Sequence, residues 1–367
     1  MNFAFTDEQQ MLRDSARKAL AGIPRERLRA GEHDPCVARE AWALAAELGW
    51  PALAVAEKDG GLGMGPVEIV VLGEEMGRAL YPASFRDTAV LLPALLARAE
   101  ANDMAYLYEE LCGGALHASF AQLEQDGDWF SDSACATREG TLHGRKVLVE
   151  HAQAATHLLV ANRRTHGAKT VLEVTLAAMN APGLSCIPRQ PLDVICGLAD
   201  VEFNAVSGPR LSVHLDAEGE MACFGTARLF NCAELNGAAE AALQMTLGYA
   251  RERRQFGQPI GSFQAIKHKL ADAFVMLENA KSATYYAGIA LQDGLPDARF
   301  ALDAAQAASC EMAVRVTSDC IQAHGGIGFT WEYDLHLYFK RARRLVAWFG
   351  GARFAHQRIA HDLMAAA

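Results

Sequence analysis

Two short segments hold residue types whose spacing suits chemistry. Arg251, Arg253 and Arg254 are followed at once by Gln255, Phe256 and Gly257, and further along Gln322 to Thr330 (QAHGGIGFT) gathers Gly325, Gly326 and Gly328. The first holds planar guanidinium groups, which stay charged and can donate two hydrogen bonds at once. The second suits the close approach of a flat or charged ligand, since glycine turns bring bare backbone amides near a partner. Each segment also has a plainer reading. Basic residues favour a helix carboxy terminus and Gly then Pro stop it, and clustered glycines serve as turn residues. That reading leaves unexplained why a Gln and a Phe sit among the arginines.

Other chemistries lack their signals. Gly60, Gly61, Gly63 and Gly65 invite a dinucleotide reading, but their spacing is not GxGxxG and they follow a helical pattern rather than a strand. No GxxxxGK[ST], HExxH or GxSxG occurs, which removes the usual marks of phosphoryl transfer, zinc peptidases and serine hydrolases. Of the 12 histidines, His356 and His361 are five apart and do not share a helical face, and they and His324 read as surface or satisfied core residues. The nine cysteines are scattered with no metal-ligand spacing and read as reduced, mostly core thiols; no metal is expected. A net charge of -10 argues against nucleic acid as a partner, which needs a field of Lys and Arg.

The elements that must position these segments follow from periodicity. Thr6 and Gln9 fit a capping box ahead of a helix, Ala38 to Leu48 reads as another, and Val67 to Leu80 and Thr88 to Ala99 as two more. From Leu116 the pattern turns to short β-branched runs such as Lys146 to Val149, His157 to Val160, Val171 to Leu176 and Leu211 to Leu215. After Phe224 long helices return: Ala227 to Arg254, Phe263 to Leu291, Asp297 to His324 and Asp334 to Trp348. An α+β protein is therefore expected, with an amino-terminal helical domain over residues 1–115, a middle antiparallel β domain over 116–218 and a carboxy-terminal four-helix bundle over 219–367. The charged amino terminus does not resemble a signal peptide, and no window reaches the ~18 apolar residues of a membrane span, so a cytoplasmic protein without membrane contact is expected.

The RERRQFG and QAHGGIGFT segments, together with FTDEQQMLRD and LGWPALAVAEKDGGLGMGPVEIVVLGEEMGRAL, resemble the acyl-CoA dehydrogenase family over nearly the entire chain. The resemblance implies FAD as cofactor, an acyl-CoA thioester as substrate, an electron-transfer flavoprotein as acceptor, and a dimer or tetramer. In that family the arginine-glutamine motif and the glycine turn reach across a subunit interface to the neighbour's FAD. Carried over, the cofactor contacts are Arg253, Gln255, Phe256, Gln322, Gly325 and Gly326.

The family reaction also needs a carboxylate to take the α proton of the thioester. In the usual place for that base this chain has Phe349, and in the alternative place, just before Arg228, it has Ala227. Neither takes a proton. Glu234, seven residues beyond Ala227 and nearly on the same helical face, is a weak replacement candidate beside a structural role, and Glu150 a weaker one. Where family members carry a TEPxxGSD-like strand, Ala121 to Trp129 reads AQLEQDGDW. These departures lead to the expectation of a subunit in lipid or steroid catabolism that works with a paralogous catalytic chain. The alternatives are a self-sufficient dehydrogenase with an unusual base, and a flavin oxidase or monooxygenase of the same fold.

Overall fold

The computed structural model describes residues 5–29, 34–99, 104–167 and 169–366. The amino-terminal part holds α1 (Asp7–Leu20), α2 (Arg25–Arg29), α3 (Pro35–Glu47), α4 (Pro66–Ala79), α5 (Leu92–Arg98) and α6 (Ala105–Cys112). Thr6 closes the expected capping box with Gln9 at the start of α1. Residues Arg86–Leu91 form a π-helical turn leading into α5, where the periodicity had read one plain helix.

Eight strands follow: β1 (Ala118–Ala121), β2 (Ala136–Arg138), β3 (Thr141–Glu150), β4 (His157–His166), β5 (Lys169–Ala178), β6 (Leu184–Arg189), β7 (Leu198–Val206) and β8 (Arg210–His214). They make two four-stranded sheets, ordered β1-β4-β5-β8 and β2-β3-β7-β6. Pairing is antiparallel except for β1 with β4, which run parallel. A parallel pair needs a long connection rather than a hairpin, and here β2 and β3 lie in that connection. Leu142, Val149, Leu158, Val160, Val201 and Phe203 are part of the core that the strands share.

The carboxy-terminal part begins with α7 (Ala217–Glu252), ten residues earlier than the helical pattern suggested. Asp216 explains the early start, because its carboxylate accepts the Gly219 amide at 2.7 Å and so satisfies a free donor of the first turn. A two-stranded hairpin, β9 (Arg254–Gln255) with β10 (Gln258–Pro259), separates α7 from α8 (Gln264–Gln292). Then come α9 (Ala298–His324), α10 (Leu335–Leu345) and α11 (Gly351–Ala366).

By contacts the chain divides into two compact units, one of residues 1–29, 66–81 and 228–367, the other of 30–65 and 82–227. In the first, α8 packs along α9, which also carries α10 and α11, while α4 packs on α1 and α8. Helices α4 and α7 cross closely enough to require glycine. A Cβ on Gly77 would lie 2.1 Å from the Glu234 carbonyl oxygen, and one on Gly237 would lie 1.9 Å from that of Glu74. In the second unit both sheets pack around the shared core, and Trp42 donates from its indole to the Gly114 carbonyl at 2.8 Å, tying α3 to the end of α6. Of the cysteines, all nine are free thiols and six are buried. Among the described residues no His, Cys, Asp and Glu cluster is arranged to hold a metal, and no helix is long and apolar enough to cross a membrane.

Candidate functional site

The arginine segment ends α7 and turns through the β9–β10 hairpin. Residues 251–258 are all exposed, and Phe256, at the tip, is 93% exposed with a left-handed φ of 52°. Its ring meets Phe263 edge-on at 6.2 Å. Arg254 is spent locally, donating to the Gly257 carbonyl at 3.1 Å. Arg253 donates its backbone amide to the Tyr249 carbonyl at 2.8 Å, so the helix holds its main chain while its side chain is exposed.

The glycine segment caps α9. Gly325 has φ 65°, and a Cβ at Gly325 or Gly326 would meet nothing within 4 Å, so both face open space. Gln322, Gly325 and Gly326 are exposed, as are Ile327, Phe329 and Trp331 beyond them. Exposed apolar groups gathered in this way are the kind of patch that marks interaction sites.

The structure anchors the two segments to one aromatic stack, which the sequence reading did not single out. Tyr249, whose carbonyl holds Arg253, stacks on His324 with ring centroids 4.3 Å apart. His324 is buried and satisfied at both nitrogens, Nδ1 by the Cys320 carbonyl at 2.9 Å and Nε2 by the Tyr333 hydroxyl at 3.2 Å. Burial lowers its pKa below the ordinary histidine value, which keeps it neutral at pH 7. The spacing of Tyr249 to Arg253, one helical turn, is the one sequence signal that could have linked them.

His336 lies beneath the same glycine-turn residues, 4.8 Å from the Trp331 ring and 6.2 Å from that of Phe329. Burial, then the Lys340 and Arg29 charges, lower its pKa to about 4.

The positions read as those of the missing base are buried. Phe349 is 6% exposed and adopts left-handed backbone angles, φ 53° and ψ 34°, followed by Gly350 and Gly351 with positive φ. That conformation costs a non-glycine residue about 1–2 kcal/mol, so its surroundings must hold it. Gln306 does so, donating from Nε2 to the Phe349 carbonyl at 3.2 Å and to that of Gly351 at 2.9 Å. Its Oε1 accepts from Arg228 Nε at 2.7 Å. Arg228 in turn pairs with the fully buried Asp303, which also accepts from Arg358 at 3.0 Å. Ala227 is buried and brings no titratable group.

Glu234 sits apart from that cluster. Its carboxylate accepts from Arg341 at 2.8 Å, and Arg344 lies 3.9 Å away. Arg341 is fully buried and also donates to the Tyr81 carbonyl at 3.2 Å. In the other unit, Glu150 is buried and lies 3.5 Å from Arg86, which pairs with Asp87 at 3.0 Å. On the Ala121 to Trp129 segment, Glu124 pairs with the buried Lys146 at 2.6 Å, and Lys146 also reaches the Gln122 carbonyl. Both carboxylates are thus engaged by cations of their own unit.

The family follows from likeness along the chain. Residues 220–364 match the profile described as "Acyl-CoA dehydrogenase, C-terminal domain", and residues 6–99 match "Acyl-CoA dehydrogenase, N-terminal domain". The chain is 32% identical over 341 residues to acyl-CoA dehydrogenase IpdE2 of Mycobacterium tuberculosis, covering 92% of this chain and 91% of that protein. It therefore belongs to the acyl-CoA dehydrogenase family, flavoprotein oxidoreductases that act on the CH–CH bond of acyl-CoA thioesters.

Among solved structures it is similar to a variant of the Tcur3481-Tcur3483 steroid ACAD, at 28% identity, TM-score 0.82 and 98% coverage of both chains. It is also similar to the ChsE4-ChsE5 complex from Mycobacterium tuberculosis, at 25% identity, TM-score 0.83 and 99% coverage of both. The FAD complex of PigA, at 22% identity and TM-score 0.82, shares the fold.

Proposed function

We propose that this chain is the base-lacking subunit of a heteromeric acyl-CoA dehydrogenase, completing a flavin site whose catalytic carboxylate belongs to a paralogous subunit. One observation carries the reading: the donated contacts are presented outward, while both base positions hold buried apolar residues. Phe256 at 93% exposure and Phe349 at 6% are its two ends.

The exposed groups fit FAD. Arg253 offers a guanidinium to the pyrophosphate, Gln255 and Gln322 offer amide donors, and Phe256 offers a ring face. The open space around Gly325 and Gly326 leaves their backbone accessible to a flat ligand. Bound FAD supplies the hydride acceptor for the β hydrogen of the substrate. This chain's residues would bind and orient it, and the Tyr249–His324–Tyr333 stack would keep the two arms at a fixed spacing. The α proton would go to the paralogue's carboxylate, since Phe349 and Ala227 cannot accept it. Glu234 would act as counterion to Arg341 rather than as base.

The two solved complexes named above are each made of two differently named chains, and one is described as a steroid ACAD. They support a paralogous partner and a lipid- or steroid-derived acyl-CoA as the substrate class. An electron-transfer flavoprotein would then reoxidise the flavin.

The test is to purify the chain alone and together with a paralogue that keeps the glutamate, and to measure flavin absorbance and turnover on a panel of acyl-CoA thioesters. FAD and turnover are expected only in the co-purified assembly. Stoichiometric FAD with full turnover in the lone chain would sink the proposal.

A further inference from the structure

Helix α1 is held to its neighbours in large part by charge. It buries Ala16 and Leu20, while its other side chains are half-buried or exposed. The rest of its hold is polar. Gln9 donates to Glu68 of α4 at 2.9 Å, and Arg17 grips Glu75 through Nε at 3.0 Å and Nη2 at 2.6 Å. Arg13 donates to Glu74 at 3.2 Å and to the Tyr285 hydroxyl of α8 at 2.8 Å. Its guanidinium lies over the Phe5 ring, which meets Tyr285 edge-on at 5.0 Å.

Beneath α1, Glu74 is 2% exposed and its two oxygens are treated unequally. Oε2 takes the donors, namely Arg13, the Tyr285 hydroxyl at 2.7 Å and the Lys281 ammonium at 3.7 Å. Oε1 is buried without a hydrogen bond. Two more carboxylates share the cluster, Glu75 on α4 and Glu240 on α7. Arg78 pairs with them at 3.4 and 2.6 Å, and Lys281 with Glu240 at 3.1 Å. The charged and titratable groups facing Glu74 are thus Arg13 from α1, Glu75 and Arg78 on its own helix, Glu240 from α7, and Lys281 and Tyr285 from α8, with no histidine among them. A bare buried carboxylate oxygen carries a desolvation cost that the neutral acid largely escapes. Burial accordingly raises the Glu74 pKa above its ordinary value, against the pull of Lys281, Tyr285 and Arg13. Glu240 goes the other way: burial opposes its charge, but Lys281 and Arg78 together outweigh it, so it stays ionised where Glu74 titrates.

We propose that α1 is a proton-linked strap, which closes over Glu74 with one proton taken from water onto Oε1 and lifts as that proton is returned. With α1 lifted, water reaches Glu74 and its ordinary acidity returns, so closing takes up the proton. The hold of α1 is therefore complete below the ordinary carboxylate pKa and weakens as pH rises through the raised value of the closed form. Helices α8 and α9 pack along each other without α1 and stay closed when it lifts. The device does not depend on which subunit carries the flavin or the base.

Hydrogen exchange of the full chain from about pH 5 to about pH 8 tests the proposal, with the opening constant of α1 obtained by dividing out the intrinsic exchange rate. That constant is expected to rise with pH by up to about tenfold per unit, the limit for one proton, while α9 stays protected. Glu74→Gln, close in shape and always neutral, should keep α1 closed across the range and remove the slope. Tyr285→Phe takes away a donor that favours the Glu74 anion, so it should keep the slope and move it to higher pH. An opening constant that is flat in the unsubstituted protein overturns the proposal, as does a slope that survives Glu74→Gln. So does a Glu74→Gln variant in which α1 loses protection while α9 keeps it, because Glu74 is then the anion that Arg13 requires. Should Glu74→Gln expose α9 as well, Tyr285→Phe decides, and a slope that does not move upward overturns the proposal.

Discussion

The hairpin and glycine turn face outward, whereas the turn at Phe349 faces inward, and the two regions solve opposite problems. Outside, Arg253, Gln255 and Phe256 are exposed at the end of α7, where Tyr249 stacks on His324. Inside, Arg228, Asp303, Gln306 and Arg358 form a buried network that locks a left-handed Phe349 in place. Groups buried and mutually satisfied serve the chain's own stability. The proposed function rests on this contrast, with contacts offered to a partner on one side and a base position turned into core on the other.

The sharpest way to break that comparison is at Asp303. Asp303→Ala leaves Arg228 and Arg358 without their shared anion, and losing one partner of a buried pair costs about 3–5 kcal/mol. Urea denaturation should show a drop of that order; a change near zero would mean that the network does not hold the Phe349 turn.

Next in size is Arg253→Ala, which should leave folding stability within about 0.5 kcal/mol, as for other exposed positions. In the assembled protein it should weaken FAD binding by roughly 10- to 100-fold, the range for hydrogen bonds to charged groups. Flavin titration of the apo-assembly reads this. Unchanged affinity would remove the exposed arm from the cofactor.

Glu234→Gln separates counterion from base. It should cost about 2 kcal/mol of stability through the weakened contact with Arg341, with turnover of the assembly retained. Turnover abolished at unchanged stability would make Glu234 catalytic and collapse the contrast between the two regions.

A smaller effect is expected at Phe256→Ala. Stability should not move, and flavin affinity should fall by roughly 2- to 12-fold, corresponding to about 0.5–1.5 kcal/mol for an aromatic contact.

The remaining effect is a pH step in the support of the glycine turn. His336 has a folded pKa of about 4 against an ordinary 6.5, so opened states take up the proton first. Its packing is at full strength above about pH 6.5 and weakens as pH falls toward 4. Fluorescence of the protein should shift over that window through Trp331, and His336→Phe should flatten the shift.

Much of this was legible in the residue order because it rests on local rules. Helical and alternating periods marked the helical, β, helical order, Thr6 and Gln9 marked the first helix start, and the glycines of QAHGGIGFT marked a turn. The reading of Phe349 and Ala227 as the places of an absent carboxylate rested instead on the resemblance to the family. The early start of α7 was not legible, because a single Asp216 side chain sets it through a hydrogen bond. Nor was the parallel β1–β4 pair, which depends on pairing between strands far apart in the chain.

The sequence by itself determined the family, the kinds of element and the identity of the groups able to bind an anion or take a proton. Those follow from residue type and from spacings of a few positions, where the backbone leaves little choice. Only the tertiary structure decided which groups are free to act. Glu234 and Glu150 look alike as letters, yet each meets a buried arginine contributed by a distant segment. Arg253 and Arg228 are both arginines beside a functional motif. One ends exposed on a hairpin and the other buried against Asp303, because burial and charge pairing are set by how helices cross and not by the residues next in line.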